Sequence, residues 1–311
     1  MTDLAVDVLI GAGLLALAWQ TIIGKSLFRG IVLFVVFGLT MALAWARMGA
    51  PDLALAEAAI GAGVTGALML VAFRRLVRIR PEQSAQPALR RSRLALPVAV
   101  LAGSLVAVIG LAVVAVERDP AVAGQAVAQA LTDSGLGNPI TGVLLLYRNL
   151  DTLLEVAVLL AAFLAARTVF GEDEARSPTP SRREVPLVGA LLAIIVPLTI
   201  LIATHLLLAG SREPGGAFQA GAVLAASGVL LVLAGRLQPA AGLSSWPALG
   251  LTLGLMLFSL IGLAVMAFGA PLLALPGLWA VYLIETAMML SIAMTLVLLF
   301  AGASGLRRGS P

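Results

Sequence analysis

Residues 187–209 read LVGALLAIIVPLTILIATHLLLA, 23 consecutive positions without Asp, Glu, Lys or Arg. A helix crosses the hydrocarbon of a bilayer in about 20 mainly apolar residues, so this stretch is long enough to span a membrane. Working outward and cutting the chain at charged or Gly/Pro-rich joints gives eight more such segments, near 4–23, 28–46, 53–73, 94–116, 147–168, 218–236, 249–268 and 278–300. The expected fold is therefore all-α, a polytopic transmembrane bundle of about nine spans. The first segment is expected to remain as a span. Asp3 and Asp7 stand where a cleavable signal would be basic, and no A-x-A site follows at a suitable distance.

Composition agrees with this. The 311 residues are 60% hydrophobic and 12% charged, against about 45–50% and about 25% in a soluble domain. There is no Cys, one His and one Lys, Lys25. Thiolate metal sites, iron–sulfur ligation and bis-histidine haem are thereby excluded, and no cofactor is expected. The small residues of 57–67 (EAAIGAGVTGA) fall inside an apolar span and read as close helix packing, not as a phosphate loop. No Ser, His and acid constellation suggests an enzyme.

The net charge of +4 carries topological information. The 74–93 loop holds seven arginines, and placing it in the cytoplasm leaves 16 of the 20 basic residues inside. This predicts an external N-terminus and a cytoplasmic C-terminus. The basic excess then orients the chain in the lipid bilayer, and no nucleic-acid partner is expected. Two polar stretches, 74–93 and 171–186, divide the spans into groups of three, two and four. The external connection from Glu117 to Ile140 is long, and its 121–132 section has the composition of a short interfacial helix.

Charges inside spans are costly, on the order of 2.5 to 3.5 kcal/mol on insertion scales, and so direct attention to function. Asp52 and Glu57 open the third span in PDLALAEAAIGAG, Asp151 and Glu155 open the fifth in LYRNLDTLLEVAVLL, Glu285 lies in the ninth and His205 near the end of the sixth. The inferred topology puts them all in the outer half of the membrane. Each has a plainer reading. Asp52 and Asp151 stand where carboxylates cap helices, and Arg148 is placed to pair with Asp151. Glu57 and Glu155 lie a turn deeper, where ion transfer competes with a helix–helix hydrogen bond. His205 equally suits a structural donor. Asp3 and Asp7 read as solvated surface acids.

The same residues carry a family resemblance. PDLALAEAAIGAGVTGALML (51–70) resembles a segment near the C-terminal end of the large, A-type subunit of Mrp-type multisubunit cation/proton antiporters. NPITGVLLLYRNLDTLLE (138–155) is similar to a later string of that large subunit, and residues 201–231 resemble the P-G-G-G-F segment of the B-type antiporter subunit. Membrane-bound hydrogenases carry related modules as separate small subunits. The resemblance implies three modules: 1–80 and 81–175 like the end of the A-type protein, and 176–311 like the B-type protein. It further implies a membrane subunit of a sodium/proton antiporter, or of a related ion-translocating respiratory complex, in a bacterial inner membrane. Its partners would be other membrane subunits, with Na+ and H+ as the transported ions. Glu57, Asp151 and Glu155 match acids tied to ion transfer in the family. Ser211 stands where the family usually has His, so His205 inherits no role from the motif. Residues 278–282 read LWAVY in place of an acidic F-D-x-G-V-Y type segment, and whether Glu285 replaces that acid is open. A scaffold joining ion-pumping subunits without carrying ions is the alternative. A stand-alone solute transporter is disfavoured, because the first five spans and the last four show no repeat.

Overall fold

A computed structural model describes residues 2–24, 26–79, 95–115, 134–170, 186–240, 245–302 and 305–308, together with 125, 129 and 131. The protein is an all-α polytopic bundle, and among the described residues eight helices are long and apolar enough to cross a membrane. Helices α1 (Thr2–Ile23) and α2 (Leu27–Arg47) are followed by a continuous third span. That span consists of α3 (Pro51–Ala56), a π-helical stretch (Glu57–Val64) and α4 (Thr65–Ile79). Then come α5 (Ala95–Ala115), a short α6 (Pro139–Gly142) running through a second π stretch (Val143–Tyr147), and α7 (Asn149–Phe170). The last part contains α8 (Pro186–Ala209), α9 (Ala217–Leu233), α10 (Ser245–Ala264) and α11 (Leu278–Ala301).

The segment expected at 218–236 is α9, which has 17 residues. At 1.5 Å per residue it is about 25 Å long, shorter than the other spans. It ends early because the chain turns at Gly235, with φ +77°, and enters a strand. That strand, β1 (Leu237–Ala240), pairs antiparallel with β2 (Gly305–Arg308), a two-stranded ribbon that the apolar pattern did not announce. The 121–132 section and both polar connections fall mostly outside the described residues.

Helix α11 is the axis of the core. Ile284, Met288, Ile292 and Leu298 are fully buried, packed with Phe258 of α10 and Phe163 of α7. Small residues let the helices approach: Gly221 of α9 faces Ile292, and Gly254 of α10 faces the Met288 backbone. Ser291 inserts its hydroxyl into α10, accepting from the Gly254 amide at 2.7 Å and donating to the Gly250 carbonyl at 2.8 Å. By contrast, the spans of α1 and α5 bury none of their residues inside the chain. Helix α1 is tied to α2 by Arg47, whose Nε donates to Asp7 Oδ1 at 2.6 Å, while Asp3 lies 3.7 Å from the same guanidinium. These two acids are thus ion-paired, not merely solvated as the sequence suggested.

Candidate functional site

The site is built around the turn between α8 and α9, residues 210–216, where the sequence GSREPGG permits very close backbone packing. A Cβ on Gly210 would lie 2.5 Å from the Gly216 nitrogen, so the two ends of the turn touch. Gly216 has φ +116°, in the region that favours glycine, and leads directly into α9.

Asp52 enters this turn from the third span. It is buried, at 7% exposure. Pro51 occupies the first turn of α3, but the Asp52 side chain does not cap its own helix, contrary to the capping expectation. Its Oδ1 accepts the Gly215 amide at 3.1 Å and the Asn138 side-chain amide at 3.2 Å. A buried carboxylate needs such donors, because an ionised group left without them is strongly destabilised.

Asn138 is the second member, and the sequence reading did not single it out. Its side-chain oxygen caps α6 by accepting the Ile140 amide at 2.9 Å, while its NH2 group also donates to the Glu213 carbonyl at 2.9 Å. The Gly137 and Asn138 amides both donate to the Ser211 carbonyl, and Thr141 Oγ1 donates to the Gly210 carbonyl. The signal was present as Asn before Pro at a helix start. Its long-range partners could not be inferred from spacing. Ser211, at the position where the resemblance led to a missing His, bonds the Tyr282 hydroxyl at 2.6 Å.

Glu285 reaches the same turn from α11. It is 4% exposed, and its carboxylate lies beside the start of α9, at Gly216 and Ala217. Its Oε1 would lie 3.2 Å from a Cβ placed on Gly216, whereas Oε2 has no hydrogen-bond partner. Gln219, another residue the sequence reading missed, donates from Nε2 to the Asp52 backbone carbonyl at 3.3 Å. A cavity of about 330 Å³ opens beside this junction and is bordered by Pro51, Asp52, Asn138, Arg212, Glu213 and Pro214.

Glu57 starts the π stretch and is half-buried. Its carboxylate lies along Gly61, and its Oε1 would be 3.2 Å from a Cβ on Gly38 of α2, where that Cβ would also meet Ala62 at 3.1 Å. The small residues of 57–67 thus pack helices closely, as expected. π segments often accompany functional positions, since they rotate side chains out of the regular helical register.

The other sequence candidates stand apart. Glu155 is exposed on α7 and His205 is exposed on α8. Asp151 is half-buried, lies in the first turn of α7 and pairs with Arg148, whose Nε donates to its Oδ2 at 2.6 Å, in line with the expected ion pair. The structure therefore brings Asp52 and Glu285 to opposite sides of one turn and leaves Asp151, Glu155 and His205 on outer faces. No cluster of three or more His, Cys, Asp or Glu side chains that would hold a metal ion occurs among the described residues.

The described residues thus form an all-helical membrane bundle with two buried carboxylates at a glycine-rich helix junction. Residues 12–78 match the MbhD family, the D-type component of MBH, and residues 187–304 match the domain related to the MnhB subunit of Na+/H+ antiporter. Two segments of the chain are thus similar to modules of membrane-bound hydrogenases and of multisubunit Na+/H+ antiporters. Its fold is similar to a chain in the structure of the Mrp complex from Dietzia sp. DQ12-45-1b, with a TM-score of 0.74, 22% identity and coverage of 95% of this chain and 34% of that one. The chain thus spans about a third of the length of the solved chain it resembles. No curated protein matches it.

Proposed function

We propose that this chain is a membrane subunit of a multisubunit sodium/proton antiporter, or of a related respiratory-type ion pump, and that its intramembrane carboxylates contribute to an ion path. The observation that carries the reading is the junction at Gly215. There a residue of the MbhD match, Asp52, is hydrogen-bonded to a residue of the MnhB-related match. Asp52, Asn138 and Gly215, which bond to one another here, would belong to three modules, residues 1–80, 81–175 and 176–311. Glu57 lies in the adjoining π stretch, with Asp151 and Glu155 on a face open to a neighbouring protein of the complex. His205 faces outward near the same end of α8 and is assigned a peripheral place in the path. The arginine distribution supports a junction on the external side of a bacterial inner membrane, with an external N-terminus.

Energy for transport would come from partner subunits, since the chain has no nucleotide loop and no redox-active Cys. Removing the gene in its host should abolish sodium-driven proton exchange in everted membrane vesicles, and a plasmid copy should restore it. Exchange that persists without the gene would reject the reading. A scaffold role is the second reading. It is favoured by the Asp52 geometry, in which the carboxylate acts as a bolt between modules. On that reading neutral variants assemble poorly, yet exchange ions normally once assembled.

A further inference from the structure

Glu285 is the one side chain among the described residues with a fully buried polar atom that lacks any hydrogen-bond partner. An ionised carboxylate with one bare oxygen in an apolar core is strongly unfavourable. A proton on that oxygen removes the charge at no steric cost. A hard cation requires several oxygen ligands, whereas a proton needs only the bare Oε2.

The cavity beside Asp52 ends at Pro214, the residue before the two glycines. Gln219, half-buried, has its amide nitrogen on the Asp52 carbonyl. Its Oε1 would lie 3.7 Å from a Cβ on Gly216, and Glu285 Oε1 would lie 3.2 Å from the same point. No side chain at 216 therefore stands between Gln219 and Glu285. Helix α9, 17 residues long, starts at this gap, and its first amide faces the carboxylate.

We propose that Glu285 is a proton-exchange site of this chain, loaded from the Asp52 cavity along Gln219 and across Gly216, and selective for a proton over a sodium ion. This rests on the antiporter reading above and specifies which ion the site takes. The step is a simple protonation: a proton arriving by way of water in the cavity adds to Oε2, and the carboxylate becomes neutral. Few other charges face the site. Helices α9 and α10 carry no charged side chain. On α8 there is His205, which is exposed, and α11 itself adds Tyr282, bonded to Ser211. Helix α7 brings Asp151, Glu155 and Arg167. Helix α4 brings Arg74 and Arg75, with Arg75 set against Gly302 at the opposite end of α11. The turn itself carries Arg212 and Glu213, and Asp52 and Glu57 come from the third span.

The test is infrared difference spectroscopy of the full chain in its complex, recorded between acid and alkaline buffers with and without NaCl. A protonated-carboxyl C=O band that titrates, is indifferent to sodium and disappears in Glu285→Gln is expected. If that variant is not recovered, Glu285→Asp should shift the same band. In Gln219→Leu the band should persist, with hydrogen–deuterium exchange slowed about tenfold. A band displaced by sodium, no band assignable to residue 285, or unchanged exchange in Gln219→Leu would overturn the proposal. Vesicle assays separate the two ideas. A titrating Glu285 in a chain whose removal leaves exchange intact defeats the antiporter reading alone, whereas a silent Glu285 in a chain needed for exchange defeats this site alone.

Discussion

The Asp52 carboxylate accepts the backbone amide of Gly215 at 3.1 Å, joining positions 163 residues apart in sequence. Hydrogen bonds to a charged acceptor contribute about 1.5–3 kcal/mol each, and a buried donor left bare costs about 1–3 kcal/mol. Asp52→Ala should accordingly lower the thermal midpoint of the purified protein clearly. Asp52→Asn, which keeps an acceptor oxygen, should lower it less. Equal midpoints for the two variants would show that the carbonyl-type acceptor does not hold the junction.

Gly216 and Gly235 both have positive φ, +116° and +77°, but only Gly216 has atoms within 4 Å of its missing Cβ. Alanine at either site meets backbone strain of about 1–2 kcal/mol. At 216 it also crowds Glu285 Oε1. Thermal unfolding should therefore show Gly216→Ala as the more damaging change. A larger loss for Gly235→Ala would contradict the packing described at the α9 start.

Gly38 admits little beside the π stretch, where a Cβ would sit 3.1 Å from that of Ala62. Overpacking of a tight contact costs about 1–3 kcal/mol, so Gly38→Leu should destabilise the α2 contact and displace the Glu57 carboxylate. Lower stability accompanied by reduced ion exchange is the expected pair of results. Gly38→Ala should be much milder.

Ser291 occupies the place of a helical hydrogen bond in α10, between the Gly254 amide and the Gly250 carbonyl. In Ser291→Ala these two backbone groups, four residues apart, can bond directly, so the loss should be about 1 kcal/mol or less. Ser291→Val adds volume against a glycine contact and should cost more. Denaturation of the two variants in parallel checks the order.

The spans were legible because length and apolarity alone define them. Which faces are buried was not legible. Lipid is as apolar as a protein core, so α5, exposed throughout, and α11, the axis of the bundle, both have strongly apolar sequences. For the same reason the exposed positions of Glu155 and His205 and the burial of Glu285 could not be separated beforehand. Asp52 was visible as an acid at a helix start, but its true partners, Asn138 and Gly215, depend on how three distant segments meet. Gln219 was hidden by its ordinary placement one turn into a helix.

Sodium-driven proton exchange by assembled complexes carrying Glu57→Gln tests the central claim most directly, with assembly verified by co-purification of the partner subunits. An ion-path role predicts exchange reduced by about tenfold or more at normal assembly. Wild-type exchange rates in complexes assembled at normal yield would contradict it and leave the chain as a scaffold.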